Sequence, residues 1–489
     1  MQTRDVVESA CRIIRHRERQ VHRRPRMGEP EALREVDARL LGEAMLSDEG
    51  QAVLTALCER CGGRFAGSAD ERRAGDLLLE RLRAAGLSSV HPEPFRFLAW
   101  RRGRRPTLQV VSPVAATLEC IALPYSPPTR KGGLELEAID LGEGLPEDFA
   151  RLRAQIKGKA VLASNESPGY YHRWVHRAEK YARAVAAGAR AFIFMNRLDG
   201  LLEETGSVRF NLKGEIPGVG ISKETGARLQ RLLRQGPVRL RLATNDGFFA
   251  GRSRNIVGEL PGTERPDEMV VVGGHYDGHD IAQAAGDNGS GVATVVEAAR
   301  LLAPHRTLLK RTVRFVCFGA EEVGLLGGQA YVERHAAEMP KVRLMVNCDG
   351  VGSERGKGFD FQGWHEAKAP LGEMAREMHQ DIVFASRPMP YSDHFHFMAA
   401  GVPTCLLGNV GGPPKGRGYG HTAADTLDKV TRADLREAAA LLARSLIRFA
   451  NDPRWALPHK TPAEVRSILD RYELIDVMRT EGTLPKALR

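Results

Sequence analysis

Apolar positions recur at helical spacing in the first regular stretch of the chain and give way to short β-like runs further on, so the 489 residues fall into segments of different character. Residues 46–61 read as a helix, followed by the loop Gly62-Gly63-Arg64-Phe65-Ala66-Gly67. A second helix starts after Ser68. Ser68 and Glu71 have capping-box spacing, Leu77, Leu78, Leu82 and Ala85 share a face, and Gly86 stops it. Residues 90–100 read as extended. Between about 111 and 249 the runs are short, with strands expected at 157–163, 189–194 and 216–221 and one amphipathic helix at 178–188. An apolar strand then ends in the Pro-Gly turn of the 253–262 segment, after which strands alternate with helices. Strands are expected at 268–273, 311–318, 342–347 and 403–407, and Val292, Val295, Val296, Ala299 and Leu302 mark a helix face. This alternation predicts an α/β fold with a mixed, mostly parallel central sheet flanked by helices, its ligand crevice lying beyond the carboxyl ends of the strands. The expected division is a basic arm (1–45), one α/β domain in two pieces (46–110 and 250–452), an inserted β-rich module (111–249) and a tail (453–489). The tail has one helix from Pro462 and no evident chemistry.

Five islands of acid and imidazole side chains sit where apolar runs end: His275-Tyr276-Asp277, Gly286-Asp287-Asn288, Glu321-Glu322, Asp349 and His421-Thr422. Charged groups placed where buried strands run out are positioned to converge in a crevice. A dinuclear hydrolytic centre needs about six oxygen and nitrogen ligands, a carboxylate able to bridge two ions, and a free carboxylate to carry protons. These islands supply that set. Asp277 stands two residues after His275, the spacing at which a carboxylate can accept the other ring N–H. Glu321 and Glu322 point in different directions, so one can bind metal while its neighbour acts as base. The Gly-Asp-Asn-Gly-Ser-Gly stretch lacks the lysine of a phosphate loop. His172 and His176 lack the glutamate of an H-E-x-x-H helix and read as packing.

These motifs, in this order and with the 253–262 segment leading into the first ligand strand, resemble the M28 family of co-catalytic zinc peptidases over about residues 46–450. The resemblance implies a zinc-exopeptidase-like core holding two Zn2+ ions per chain. It places His275, Asp287 and Asp349 on one ion and Asp287, Glu322 and His421 on the other, with Asp287 bridging. Glu321 is then the general base toward a water activated between the ions, and Asp277 supports His275. A cis peptide is implied at Asp287-Asn288. Residues 111–249 resemble a protease-associated (PA) domain, implying a lid or recognition role. The activity implied is peptide hydrolysis of the aminopeptidase type. Carboxypeptidase or dipeptidase action is the alternative, because the 278–285 loop, Gly-His-Asp-Ile-Ala-Gln-Ala-Ala, resembles those relatives more than the serine-containing aminopeptidase version. A full ligand set disfavours a non-catalytic PA-bearing receptor or a glutaminyl-cyclase-like transferase. The stretch Tyr391-Ser392-Asp393-His394 resembles the family's substrate-side loop. Asp393 and His394 lie outside the implied ligand set, and His396 reads as a packed or exposed imidazole.

Composition narrows the picture further. With 42% apolar and 27% charged residues the chain can bury a large core, and no apolar run approaches the roughly 18–20 residues of a membrane span. The net charge is +10, with eight arginines against four acids in the first thirty residues and a second cluster at 101–105. Neither cluster comes with a nucleic-acid-binding pattern, so a solvated basic surface is expected, with a peptide substrate and no nucleic acid as partner. A homo-oligomer is left open. Seven cysteines, an odd and scattered set, make no disulfide framework; Cys58 and Cys61 read as core packing and not as a zinc or redox pair. The N-terminus shows no apolar signal segment, so a cytoplasmic location is expected.

Overall fold

The computed structural model describes residues 29–352, 357–409 and 417–489. Two eight-stranded sheets organise these residues. The strands of the first, in chain order, are β1 (Ser88–Arg101), β2 (Gly247–Leu260), β3 (Arg265–His275), β4 (Arg311–Phe318), β5 (Val342–Cys348), β6 (Lys357–Asp360), β7 (Val383–Ala385) and β8 (Thr404–Asn409). Their spatial order is β1-β2-β4-β3-β5-β8-β6-β7. The four central strands β4, β3, β5 and β8 are mutually parallel, and antiparallel strands flank them. Val270, Val271 and Val272 of β3 are completely buried, as a parallel strand covered on both faces requires. One cover is the helix Ser290–Leu302, buried at nearly every position, which packs against the helices Glu49–Cys61 and Arg432–Asn451. Fully burying a single valine or leucine there stabilises the fold by about 1.5–3 kcal/mol.

The expected strands are present, with β4 on the residues read from the sequence. The capping box is only half formed. Ser68 Oγ accepts from Glu71 N, but the Glu71 carboxylate turns to Gly67 N and to the hydroxyl of Ser253, tying the helix Ala69–Ala84 to β2. Residues 29–45 of the expected basic arm belong to a helix, Glu29–Leu46, which packs on the Arg432–Asn451 helix. Its Asp37 is clasped by Arg444 and Arg448, and Leu40 and Ala44 are buried. Residues 1–28, with the arginine-rich run, lie outside the described residues.

The second sheet lies within the inserted module. It runs Ala116–Leu118, Thr107–Ser112, Arg239–Ala243, Leu134–Asp140, Ala160–Ser164, Ala191–Met195, Gly218–Ile221, Ile121–Ala122, with a parallel central block. The expected helix is Arg177–Ala186, and a second one, Lys223–Gln235, joins it. Only Gly226 and Leu229 of that second helix are fully buried, so its otherwise polar sequence gave no clear signal. In the arginine cluster at 101–105, Arg101, Arg104 and Arg105 are exposed and Arg102 is half-buried. Arg102 pairs with Asp280 and lies over Trp100, and Arg105 reaches Glu119 and Glu203. The tail holds two helices, Pro462–Asp470 and Leu474–Glu481, where one was expected.

Candidate active site and metal centre

All five islands arrive at the carboxyl ends of the parallel strands. His275 closes β3, Asp349 follows β5, and Glu321-Glu322 follow β4 across a short turn. Asp287 sits in a distorted turn before the Ser290–Leu302 helix, and its bond to Asn288 is cis. His421 comes from the loop after β8.

The side chains converge on Asp287. One of its oxygens, Oδ1, lies 3.5 Å from His275 Nε2, and the other, Oδ2, lies 3.3 Å from His421 Nε2. Beyond them, Asp349 Oδ1 is 3.8 Å from His275 Nε2, and Glu322 Oε2 is 3.6 Å from His421 Nε2. The two sets implied by the resemblance are therefore contiguous, with Asp287 between them. Glu321 lines the same cavity as Asp287, Glu322, Asp349 and His421.

Each of these groups is held by a partner that the sequence motif does not show. The Asp425 carboxylate accepts from the amides of Gly286 and Asp287 (2.7 and 3.1 Å). Asn288 donates to Cys348 O and accepts from Gly291 N and Gly350 N, joining the Asp287 turn to the Asp349 loop. Ser392 donates to Asp349 Oδ2 at 2.8 Å and accepts from Asn347. Asp277 does more than its expected part. Its two carboxylate oxygens accept from the amides of Glu321 and Glu322 (3.0 and 3.2 Å), while His275 Nδ1 lies 3.2 Å from the Asp277 carbonyl and 3.6 Å from its carboxylate. Asp277 thus fixes the Glu-Glu pair and also faces the imidazole, with its carbonyl and its carboxylate.

Arg64 is the least expected support. Completely buried, its guanidinium donates to the carbonyls of Tyr276, Gln283 and Ala284 at 2.7–2.8 Å and to Gly62 at 3.0 Å, holding the loop between His275 and Asp287 from beneath. The replacement Arg64→Leu removes a charged donor from all of these carbonyls, leaving, among the described residues, Ala284 O with Gly289 N and Gln283 O with only the Cys58 thiol, at a cost of about 1–3 kcal/mol for each bond lost. The expected result is a loss of at least ~3 kcal/mol in denaturant unfolding together with weaker metal retention. Wild-type stability in that variant would remove Arg64 from this role.

Electrostatics fit the site to cations. Burial pushes the Glu321 carboxyl well above its ordinary range, with Glu322 and Asp349 adding to the rise, and burial raises Glu322 to about 7. Burial opposes a charged His275, yet Glu321, Asp277, Asp287 and Asp349 together raise its pKa well above the ordinary value. Glu322 Oε1 is buried with no hydrogen-bond partner among the described residues. Carboxylates gathered out of water stay ionised only beside compensating positive charge, and carboxylate and imidazole donors are those that zinc takes. Among the described residues, two groups of donor atoms lie close enough to hold an ion: His275 with Asp287 and Asp349, and Glu322 with His421 and His279. His279 was not singled out from the sequence. It is an isolated imidazole in the 278–285 loop, and only the folding of that loop over Gly63 brings it beside Glu322.

The cavity, of about 790 Å³, is walled on one side by the inserted module and by the end of the described chain. Trp174, His176, Arg177, Glu204 and Phe210 come from the module, and Glu481, Leu484, Lys486 and Arg489 from the tail. The tail, expected to carry no chemistry, therefore shapes the cleft. The module also touches the residues whose side chains converge. Thr205 N donates to His421 O, His421 Nδ1 lies 3.3 Å from Thr205 O, and Ser207 Oγ donates to Glu322 O. His176 caps the Arg177–Ala186 helix and stacks on Tyr391, consistent with a packing role, while the exposed His172 faces Glu473. Asp393 and His394 are buried behind the site, and His396 borders the cavity.

Comparison with known proteins identifies both domains. The Peptidase family M28 profile matches residues 255–446, and the PA domain profile matches residues 108–229. Residues 255–446 are an M28 peptidase domain. It is 29% identical to aminopeptidase YwaD of Bacillus subtilis (strain 168) over 399 residues, which is 80% of this chain and 82% of the relative. It is 27% identical to carboxypeptidase Q of Mus musculus over 65% of this chain and 68% of that protein. Among solved structures, a peptidase M28 precursor from Shewanella amazonensis SB2B superposes with a TM-score of 0.75 at 26% identity, covering 87% of this chain and 98% of that one. BSAP, a zinc aminopeptidase from Bacillus subtilis, superposes with a TM-score of 0.64 at 25% identity, covering 84% and 98%. The chain is a zinc-dependent metallopeptidase whose PA domain is inserted between β1 and β2.

Proposed function

We propose that this M28 peptidase is a two-zinc exopeptidase of the aminopeptidase type, carried by one observation: Asp287 lies between two sets of donors, with His275 and Asp349 on one side and Glu322 and His421 on the other. His275, Asp287 and Asp349 would hold one ion, and Asp287, Glu322 and His421 the other. When bound, such ions supply Lewis acidity toward the scissile carbonyl and lower the pKa of water from about 15.7 toward about 7. The chain supplies the rest. Glu321 takes a proton from the attacking water at its carboxylate and returns it to the leaving nitrogen. Asp277, through the amides of residues 321 and 322, keeps both glutamates aimed into the cavity. The walls formed by residues of the PA domain and the tail exclude water and limit access, which favours a chain end over the middle of a long peptide.

Carboxypeptidase or dipeptidase action is the second reading, and Arg177 favours it. This buried residue donates Nε–H to Ser207 O and lines the cavity that contains Glu321 and Glu322. Gly206 makes room for it, since a Cβ there would lie 2.1 Å from Arg177 Cζ. A guanidinium at this place suits a substrate carboxylate. Peptides blocked at the amino end, at the carboxyl end or at both separate the readings by which free amino acid appears. If the carboxylate is recognised, Arg177→Met lowers kcat/KM for free-acid substrates by roughly 10- to 100-fold and leaves the carboxamides unchanged, the span expected of charge-assisted hydrogen bonds. Equal loss on both kinds of substrate would exclude that role for Arg177. Cleavage of peptides blocked at both ends would exclude the exopeptidase reading.

A further inference from the structure

His279 stands inside the metal centre without a task in the set of roles described above. It is 3% exposed and follows β3 by four residues, where the loop crosses Gly63 so closely that a Cβ on that glycine would lie 2.7 Å from the His279 carbonyl. The ring is packed between Phe65, at 5.9 Å between centroids, and His421, at 4.4 Å. Its Nε2 is 2.9 Å from Glu322 Oε2, but the geometry is not that of a hydrogen bond, and neither ring nitrogen has a hydrogen-bond partner among the described residues. Burying a polar ring with both nitrogens unused is costly, and such atoms are rare in folded proteins unless something binds them.

The donor atoms of His279, Glu322 and His421 all lie within 4.8 Å of one another. Two imidazoles and a carboxylate are a donor set that catalytic zinc accepts. Building on the two-zinc reading, we propose that His279 is a further ligand of the ion held by Glu322 and His421. The two ions then differ in chemistry. One has a single imidazole, from His275, among carboxylates, and the other has two, from His279 and His421. Imidazole-rich sites favour zinc and copper over oxygen-seeking cations such as magnesium and manganese, so the ion at His279 is the more selective of the pair.

X-ray absorption fine structure on the full-length protein loaded with two equivalents of zinc tests this without any substitution. Scattering from three imidazoles per two ions is expected, and scattering from two overturns the proposal. A chelator titration with metal content read by elemental analysis adds a second measurement. His279→Leu, which keeps the ring's volume, should release one ion at a chelator concentration about 100-fold lower than wild type while the other ion is retained, with His421→Leu as the positive control. Two ions released at the wild-type midpoints in His279→Leu would overturn the proposal. Wild-type protein that binds fewer than two ions overturns the two-zinc reading itself, and this proposal with it, so the two failures are told apart.

Discussion

Glu321→Gln should retain zinc and lose roughly 10²- to 10⁴-fold in kcat, the usual span for removing a general acid–base group. The amide has nearly the shape of the carboxylate, and the backbone N–H of residue 321 still donates to Asp277. Glu321 is outside both groups of donor atoms that lie close enough to hold an ion, so its replacement removes no ligand. What is lost is the proton site. Burial, reinforced by Glu322 and Asp349, holds that carboxyl far above its ordinary range, and positive charge brought into the site returns it toward the ionised form a base needs. The measurement is turnover and zinc content on the same preparation. Full activity with full metal would take the base role from Glu321, and low activity with lost metal would make it a ligand.

Asp287→Ala should have the larger structural effect, leaving the protein with little retained metal and no turnover. Its oxygens face His275 on one side and His421 on the other, so a single truncation removes a donor from both sets. The turn around it stays in place through Asp425 and Asn288, which makes this loss specific and not a collapse of the loop. A ligand present at 100 times its dissociation constant stabilises a fold by about 2.7 kcal/mol. Wild-type protein should therefore melt higher in excess zinc, and Asp287→Ala should not. A variant that keeps two ions after dialysis would end the bridging assignment.

The catalytic half of the fold was legible because parallel strands are long apolar runs, and their ends mark the crevice whatever the tertiary detail. Residues 311–318 show this: a strand buried at every position but Arg314, followed after Gly319 and Ala320 by the Glu-Glu pair. The islands that carry the implied ligands stand out for the same reason, since four of the five lie just after such a run or in the loop leaving it. What stayed hidden depends on contacts between distant segments. Arg64 carries no motif, and its importance lies in carbonyls more than 200 residues away. His279 looks like any surface-loop histidine until the loop folds over Gly63. Spacing points to the Asp277 carboxylate beside His275, but not to its hold on the two amides of the glutamate pair, which the turn after β4 brings to it. The tail offered only weak helical periodicity, and nothing local told that Glu481 and Arg489 return to the cleft.

The hydrogen bond from Thr205 to His421 and the one from Ser207 to Glu322 bear on how this enzyme can be dissected. They make the PA domain a co-author of the catalytic geometry instead of a detachable accessory. A shortened enzyme without residues 108–229, or a chimera carrying a foreign PA domain, would lose the brace on two donor residues even if its own sheet folded intact.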